Sequence, residues 1–461
     1  MDPQHAKMLP DDYRAFSQTL EGKVRSRHHA EYASWYYSTA WNRRHFERFP
    51  EYIVRAASVE DVIKSVNFAR LHGLRIAVKG SGHSYAGSFL HRGGLLLDLA
   101  QLNAIEVDAE QETVTAGPGV TSAQLTQALA PHGLAFPTGH GAKVGLSGFL
   151  LGGGLGINCD AWGGMSTFNI LALDVVTADG RLLHVSETEN AELFWAARGG
   201  GPCLFFVVVR FHLRTWLAPK TILARSYVLD TARLKPLLMA LCARRHDDRA
   251  QVMLVLGGAH GVPAALSVSV FCDDVAEAGS LHAALEMDLQ PWLGEFVEQE
   301  LGSFDPIYQQ TEQAMVSKRY RADNILTDAA GKVADVLVAG MQARPSPATF
   351  CLLILRPNHE HADAAYSIHG RLSVSTYAQW NDEDEDDLNR DWLRGVFDQL
   401  APIATGSYIN EFDLEARSAE VATCYSADAW RRLQKLRQRY DEHGVFPGVS
   451  LLAADVSERV F

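Results

Sequence analysis

Cysteine is scarce in this chain and its few copies are scattered. Six thiols stand at 159, 203, 242, 272, 351 and 424 among 461 residues, with no Cys-x-x-Cys spacing. That scatter argues against a disulfide framework or a thiolate zinc site, and the thiols read as small buried hydrophobes. The histidines are dispersed as well, and no metal is expected. No stretch reaches the roughly 18 to 20 uncharged apolar residues of a membrane-spanning helix. The opening octet, Met1-Asp2-Pro3-Gln4-His5-Ala6-Lys7-Met8, has no apolar core or cleavage pattern, so a cytoplasmic location is expected. Positive charge is in deficit: 42 Lys and Arg against 55 Asp and Glu leave a net charge of −13. That balance disfavours nucleic acid and anionic membrane surfaces as partners. The glycine-rich loops also lack a Gly-x-Gly-x-x-Gly spacing, and no β-branched strand leads into the triple glycine. A nicotinamide-binding Rossmann site is thereby disfavoured.

With 47% hydrophobic and 21% charged residues, the chain can bury a large core and fill more than one domain. Its most informative stretch is Val78-Lys79-Gly80-Ser81-Gly82-His83-Ser84-Tyr85-Ala86-Gly87, which follows an apolar run. Gly80, Gly82 and Gly87 permit positive φ and close approach, so successive N–H groups can converge on an anion. Ser81, Ser84 and Tyr85 add hydroxyl donors, and His83 would stand at the ligand. A second cluster runs from Gly139 through His140, Gly141, Val144, Gly145 and Gly148 to Gly152-Gly153-Gly154 and Gly156, preceded by Gly117-Pro118-Gly119. Three such loops imply backbone lying flat against a large planar ligand.

Residues 59–71 have helical spacing behind a cap at Ser58, and 95–99, 112–116 and 205–211 read as strands. Beyond about residue 220 the texture changes. Strands are expected at 222–228, 251–256, 265–271, 351–355 and 372–377, with helices near 231–245, 275–288, 327–342 and 387–400. This pattern suits a separate α+β domain on an antiparallel sheet covered by helices. The acidic run 382–387 reads as a solvated loop leading into a helix.

The order of these motifs resembles a known family. Phe49-Pro50-Glu51-Tyr52-Ile53-Val54, Ser58 to Val62, the His83 loop, the triple glycine and Val175-Val176-Thr177-Ala178-Asp179-Gly180 are similar to the PCMH-type FAD-binding domain of vanillyl-alcohol-oxidase-type flavoproteins. The nearest subgroup by resemblance is the berberine-bridge-enzyme-like oxidases. Later signposts are Glu192 to Gly201, Gln379-Trp380, Tyr408-Ile409-Asn410 and Trp430-Arg431-Arg432-Leu433, so the likeness spans almost the whole chain. It implies an α+β, two-domain fold: an FAD-binding domain over 1–218, a substrate domain over 219–405 and a tail, 406–461, returning to the first domain.

The resemblance also implies roles. His83 occupies the position bonded to the 8α carbon of the flavin, and neutral imidazole is accessible because histidine titrates near neutrality. Gly141 stands where many relatives carry a second, cysteine link, so a singly tethered FAD is expected. Val144 matches the oxygen-access position, and a small side chain there goes with an oxidase forming hydrogen peroxide. Tyr408 and Asn410 match the Tyr-x-Asn beside the ring, and Gln379 a polar residue on a substrate-domain strand. Tyr408 could be the base if a neighbour lowered its pKa; Tyr377 and His140 are further candidates.

Two departures stand out. Gly200-Gly201-Pro202-Cys203-Leu204 replaces a Gly-Gly-Asn-Phe-Gly turn, and Asp441-Glu442-His443-Gly444 replaces an Asp-Pro-x-Asn. The expectation is an FAD-dependent oxidase that moves a hydride from a small alcohol, amine or natural-product intermediate to flavin N5, with O2 as second substrate. A dehydrogenase using another acceptor and a catalytically silent flavin binder remain alternatives.

Overall fold

The computed structural model describes residues 10–258, 264–356 and 361–449; the opening octet, on which the reading of the N-terminus rests, lies outside them. Near the start of the chain, four strands form a sheet in the order Lys23–Ser26, Tyr52–Arg55, Leu95–Asp98, Ile76–Lys79, the last three mutually parallel. Parallel neighbours need a crossover, and helix Val59–Leu71 supplies it. Ser58 caps that helix by accepting from the Asp61 N–H at 3.3 Å, and Val62, Val66, Phe68 and Ala69 are buried.

A second, five-stranded antiparallel sheet runs Ile105–Asp108, Thr113–Ala116, Phe206–Arg214, Ile170–Thr177, Leu182–Ser186. Third comes a seven-stranded antiparallel sheet, in the order Phe296–Leu301, Thr221–Leu229, Ala264–Cys272, Ala250–Gly257, Phe350–Leu355, Leu372–Trp380, Arg319–Thr327. Alternation sends its two faces to different neighbours. Leu254, Leu256, Leu353 and Val374 join a core with helices Leu234–Ala243, Val275–Leu289, Ala330–Gln342 and Asp386–Leu400. Met253, Val255, Phe350 and Leu352 point the other way, into a cleft.

After this sheet the chain returns. Helix Ala427–Tyr440 packs through Leu433 and Leu436 on the core of the five-stranded sheet. Val445 O then accepts from Ile76 N–H at 2.7 Å, tying the segment to the strand that leads into the His83 loop.

Strand Arg319–Thr327 is absent from the sequence reading, because its arginines and aspartate mask a strand buried along its whole length. Its charges are met by partners far away in sequence: Asp386 for Arg319, Asp413 for Arg321 and Arg417 for Asp323. Strand Phe296–Leu301 and helices Asp305–Ala314 and Ala427–Tyr440 are likewise additions. Most of the acidic run is exposed, as read, but Asp386 also accepts from Trp380 Nε1 at 2.7 Å. All six cysteines are free, and five are buried. No helix among the described residues is long and apolar enough to cross a membrane.

Candidate active site

The inner face of the seven-stranded sheet and the glycine-rich loops enclose a cleft of about 860 Å³. Strand Ile76–Lys79 delivers the first loop, and its last residue is anchored by a buried ion pair, Lys79 Nζ to Asp98 Oδ1, at 2.9 Å. Gly82 takes φ +83°, and a Cβ there would lie 2.0 Å from Thr39 O, so only glycine fits. Gly80 does not need positive φ as expected; its requirement is space, with Pro118 O 3.3 Å from a would-be Cβ.

His83 is half-buried in the cleft wall, with Nδ1 3.0 Å from Ser81 Oγ and its ring stacked on Trp41 at 5.6 Å and 9°. Burial, with Lys143 and Lys79 nearby, pushes its pKa down to about 4. The imidazole is therefore neutral at pH 7. Ser84 spends its hydroxyl within the turn, accepting from Ser88 N–H at 3.1 Å. Tyr85 contributes its ring more than its hydroxyl, edge-on to Trp41 and 5.7 Å from Tyr377. Gly87, at φ +56°, lies against Phe46 and Arg48, off the cleft wall.

The second glycine loop sits directly on the first: a Cβ on Gly145 would be 2.4 Å from Ser81 Oγ. Gly141 and Val144 both face the cleft, and a Cβ on Gly141 would be 3.0 Å from Val144 Cγ2. Gly148 also lines the cleft, with no atom within 4 Å of a would-be Cβ. The triple glycine does something different from lying on a ligand. Gly152 admits Asn410, whose Oδ1 is 2.0 Å from a would-be Cβ; Gly153 and Gly154 take φ +123° and +78°; and Gly156 faces Pro137 O at 2.3 Å. None of these four lines the cleft. Gly117 and Gly119 are also away from it, pressed on the carbonyls of Leu102 and Ala100.

That turn instead presents donors to Tyr408. The phenol oxygen accepts from Gly154 N–H at 3.0 Å, Leu155 N–H at 3.2 Å and Asn410 Nδ2 at 2.8 Å. Asn410 is fixed in this sense because Nδ2 also donates to Phe149 O at 3.0 Å. Burial and the Glu411 carboxylate outweigh these donors and push the phenol well above its usual range. A base with a lowered pKa, the condition set for Tyr408, is not what this environment produces. Gln379 does not line the cleft but ties down backbone behind its wall: its amide donates to Ala314 O and Ala348 O at 2.8 and 2.7 Å and accepts from Ser317 N–H at 3.3 Å.

The residue missed is Glu411, next to Asn410 on the turn Ile409–Glu411. Its buried carboxylate lines the cleft and accepts from Tyr377 Oη at 2.7 Å and from Ser375 Oγ. Burial raises its pKa. The signal was its adjacency to the Tyr-x-Asn motif, but a lone glutamate carries no periodicity that marks it. His140 is also placed on the wall. Its Nε2 accepts from Gln251 Nε2 at 2.7 Å, while Gln251 Oε1 accepts from Asn158 N–H at 3.0 Å. That chain puts the proton of His140 on Nδ1, and burial holds its pKa down to about 4.

A flavin dinucleotide fits this set. The glycine loops leave backbone bare along the cleft, Gly148 opens onto free space, and Trp41 Nε1 is buried in the wall without a hydrogen-bond partner. Residues 50–186 match a family model described as an FAD binding domain. The FAD-linked oxidoreductase penO of Penicillium crustosum is 28% identical over 422 residues, which cover 88% of this chain and 91% of that protein. The (R)-6-hydroxynicotine oxidase of Paenarthrobacter nicotinovorans is 40% identical over 184 residues, or 40% of each chain. In fold, the BBE-like 1 protein of Physcomitrella patens superposes with a TM-score of 0.81 at 19% identity, over 95% of this chain and 98% of that one.

Proposed function

We propose that this chain is an FAD-linked oxidoreductase, on the berberine-bridge-enzyme-like fold it shares, and on that premise an oxidase of a small alcohol or amine with Glu411 as the proton acceptor. The observation that carries the reading is a buried carboxylate on the cleft wall held only by the hydroxyls of Tyr377 and Ser375. Bound FAD supplies an acceptor for two electrons and returns them to O2 as hydrogen peroxide.

The protein's own part is binding, orientation and proton transfer. His83, neutral and stacked on Trp41, would hold the cofactor by a single covalent link, with Gly141 leaving no second attachment. Gly80, Gly82, Gly145 and Gly148 keep the cradle free of side chains. Glu411 takes the proton from the substrate O–H or N–H, and a carboxyl raised toward neutrality is better matched to that task than an ordinary one. Tyr408 keeps its proton; its oxygen is saturated by three N–H donors, so its O–H is the donor offered to a substrate heteroatom. The relatives' names support oxidation of a small molecule, and Val144 in the wall supports oxygen as the acceptor. Six free thiols support a reducing, cytoplasmic location.

The test needs no substrate. Holoprotein reduced with dithionite under argon and mixed with air-saturated buffer should recover its oxidised absorbance rapidly and release stoichiometric hydrogen peroxide. Reoxidation no faster than that of free flavin contradicts the oxidase reading and favours a dehydrogenase.

A further inference from the structure

Away from the cleft, three neighbouring strands of the five-stranded sheet bring two imidazoles and a carboxylate together. Asp174, on the middle of the three, stands opposite His184 in register, and His212 comes from the strand on its other side. One ligand atom from each lies within 4.8 Å of the other two. His184 Nδ1 is 2.9 Å from Asp174 Oδ1, and His212 Nε2 is 3.5 Å from Asp174 Oδ2. Tetrahedral bonds of about 2.0 Å separate their ligand atoms by about 3.3 Å, a value that the two imidazole–carboxylate distances bracket.

The second observation is His212 itself. Its Nε2 is buried and makes no hydrogen bond, while Nδ1 faces Thr115 Oγ1 at 3.4 Å. Nε2 is thus turned toward Asp174 Oδ2 across 3.5 Å without bonding to it, which leaves it placed to share a cation with that carboxylate. We propose that Asp174, His184 and His212 form a site for a divalent transition metal, zinc by its donor set of two imidazoles and one carboxylate. Water would complete the coordination on the solvent side, where His184 is 45% exposed.

The competing cation is Arg210, whose Nη1 is 3.7 Å from Asp174 Oδ2 on a half-exposed side chain. It must swing away when metal binds. The site is structural: Val208 of the same strand lines the cleft, and His212 lies four residues farther on, about 13 Å along the strand.

The test is zinc titration by calorimetry of untagged, chelator-treated protein with its flavin in place. One zinc per chain is expected, weakened at least about tenfold in His212→Gln, Asp174→Asn and the surface variant His184→Gln, and tightened in Arg210→Ala. Zinc should also raise the melting midpoint of the wild type and not that of His212→Gln. Absence of saturable binding, or binding unchanged in all three ligand variants, overturns the proposal.

Discussion

The Tyr377 hydroxyl donates to Glu411 Oε1 across 2.7 Å, and the carboxylate it supports has no cation among the influences on its pKa. Four residues on, Glu415 is the contrast. Arg44 at 2.7 Å, with Arg321 nearby, holds its carboxyl down to about 2. One glutamate is neutralised by arginines and structural; the other is left to neutral hydroxyls in a cleft. An unneutralised buried carboxylate is costly, and such groups concentrate where proton transfer is needed.

Replacing Glu411 by Gln should therefore lower kcat/KM by about 10²- to 10⁴-fold with flavin content unchanged, as steady-state rates and absorbance would check. The shape of the group is kept and only its basicity lost. A variant with wild-type activity would remove Glu411 from the proton path.

The pH dependence has a definite sign. A base must be deprotonated to act, so activity should fall as pH drops through a pKa lying above the ordinary glutamate value of 4.5. Tyr377→Phe removes a donor that favours the anion, which moves that acid limb to higher pH. Stability runs the opposite way. The folded state favours protonated Glu411, so the stability tied to this group is present at low pH and lost as pH rises through the folded pKa. Glu411→Gln should be no less stable than the wild type at pH 8 by thermal melting.

The glycines divide into two kinds that one pair of variants separates. Gly148→Leu fills open space in the cleft, so flavin content should fall while the melting temperature of the apoprotein stays near wild type. Gly152→Ala would place its Cβ against Asn410, costing about 1–3 kcal/mol of stability by denaturant unfolding.

Arg417, 2% exposed, pairs with Asp323 at 2.6 Å and lies over Phe397 at 3.5 Å. Arg417→Ala leaves Asp323 buried without its partner and should cost about 3–5 kcal/mol, read from urea unfolding of the full chain.

Much of this was legible in sequence for physical reasons. Apolar periodicity marked helix Val59–Leu71 and the strand around Val252, where one face is buried, and an unbroken apolar run marked the strand around Leu353, buried on both faces. Glycine spacing marked the loops at 80–87 and 139–148 because backbone that must lie bare admits no substitute. What stayed hidden depends on distant partners. Strand Arg319–Thr327 is charged locally and becomes buriable only when Asp386, Asp413 and Arg417 arrive. Gln379 and Glu411 show the same limit. Both are polar residues beside recognisable motifs, yet only three-dimensional neighbours separate the one that ties down backbone from the one that faces the cleft.

A flavin tethered by His83 would survive acid precipitation, so purified wild type and His83→Ala are precipitated side by side. After washing, flavin absorbance should stay with the wild-type pellet and pass to the supernatant in the variant. Flavin released equally from both would contradict the tether, and no flavin in any fraction would contradict the cleft's assignment itself.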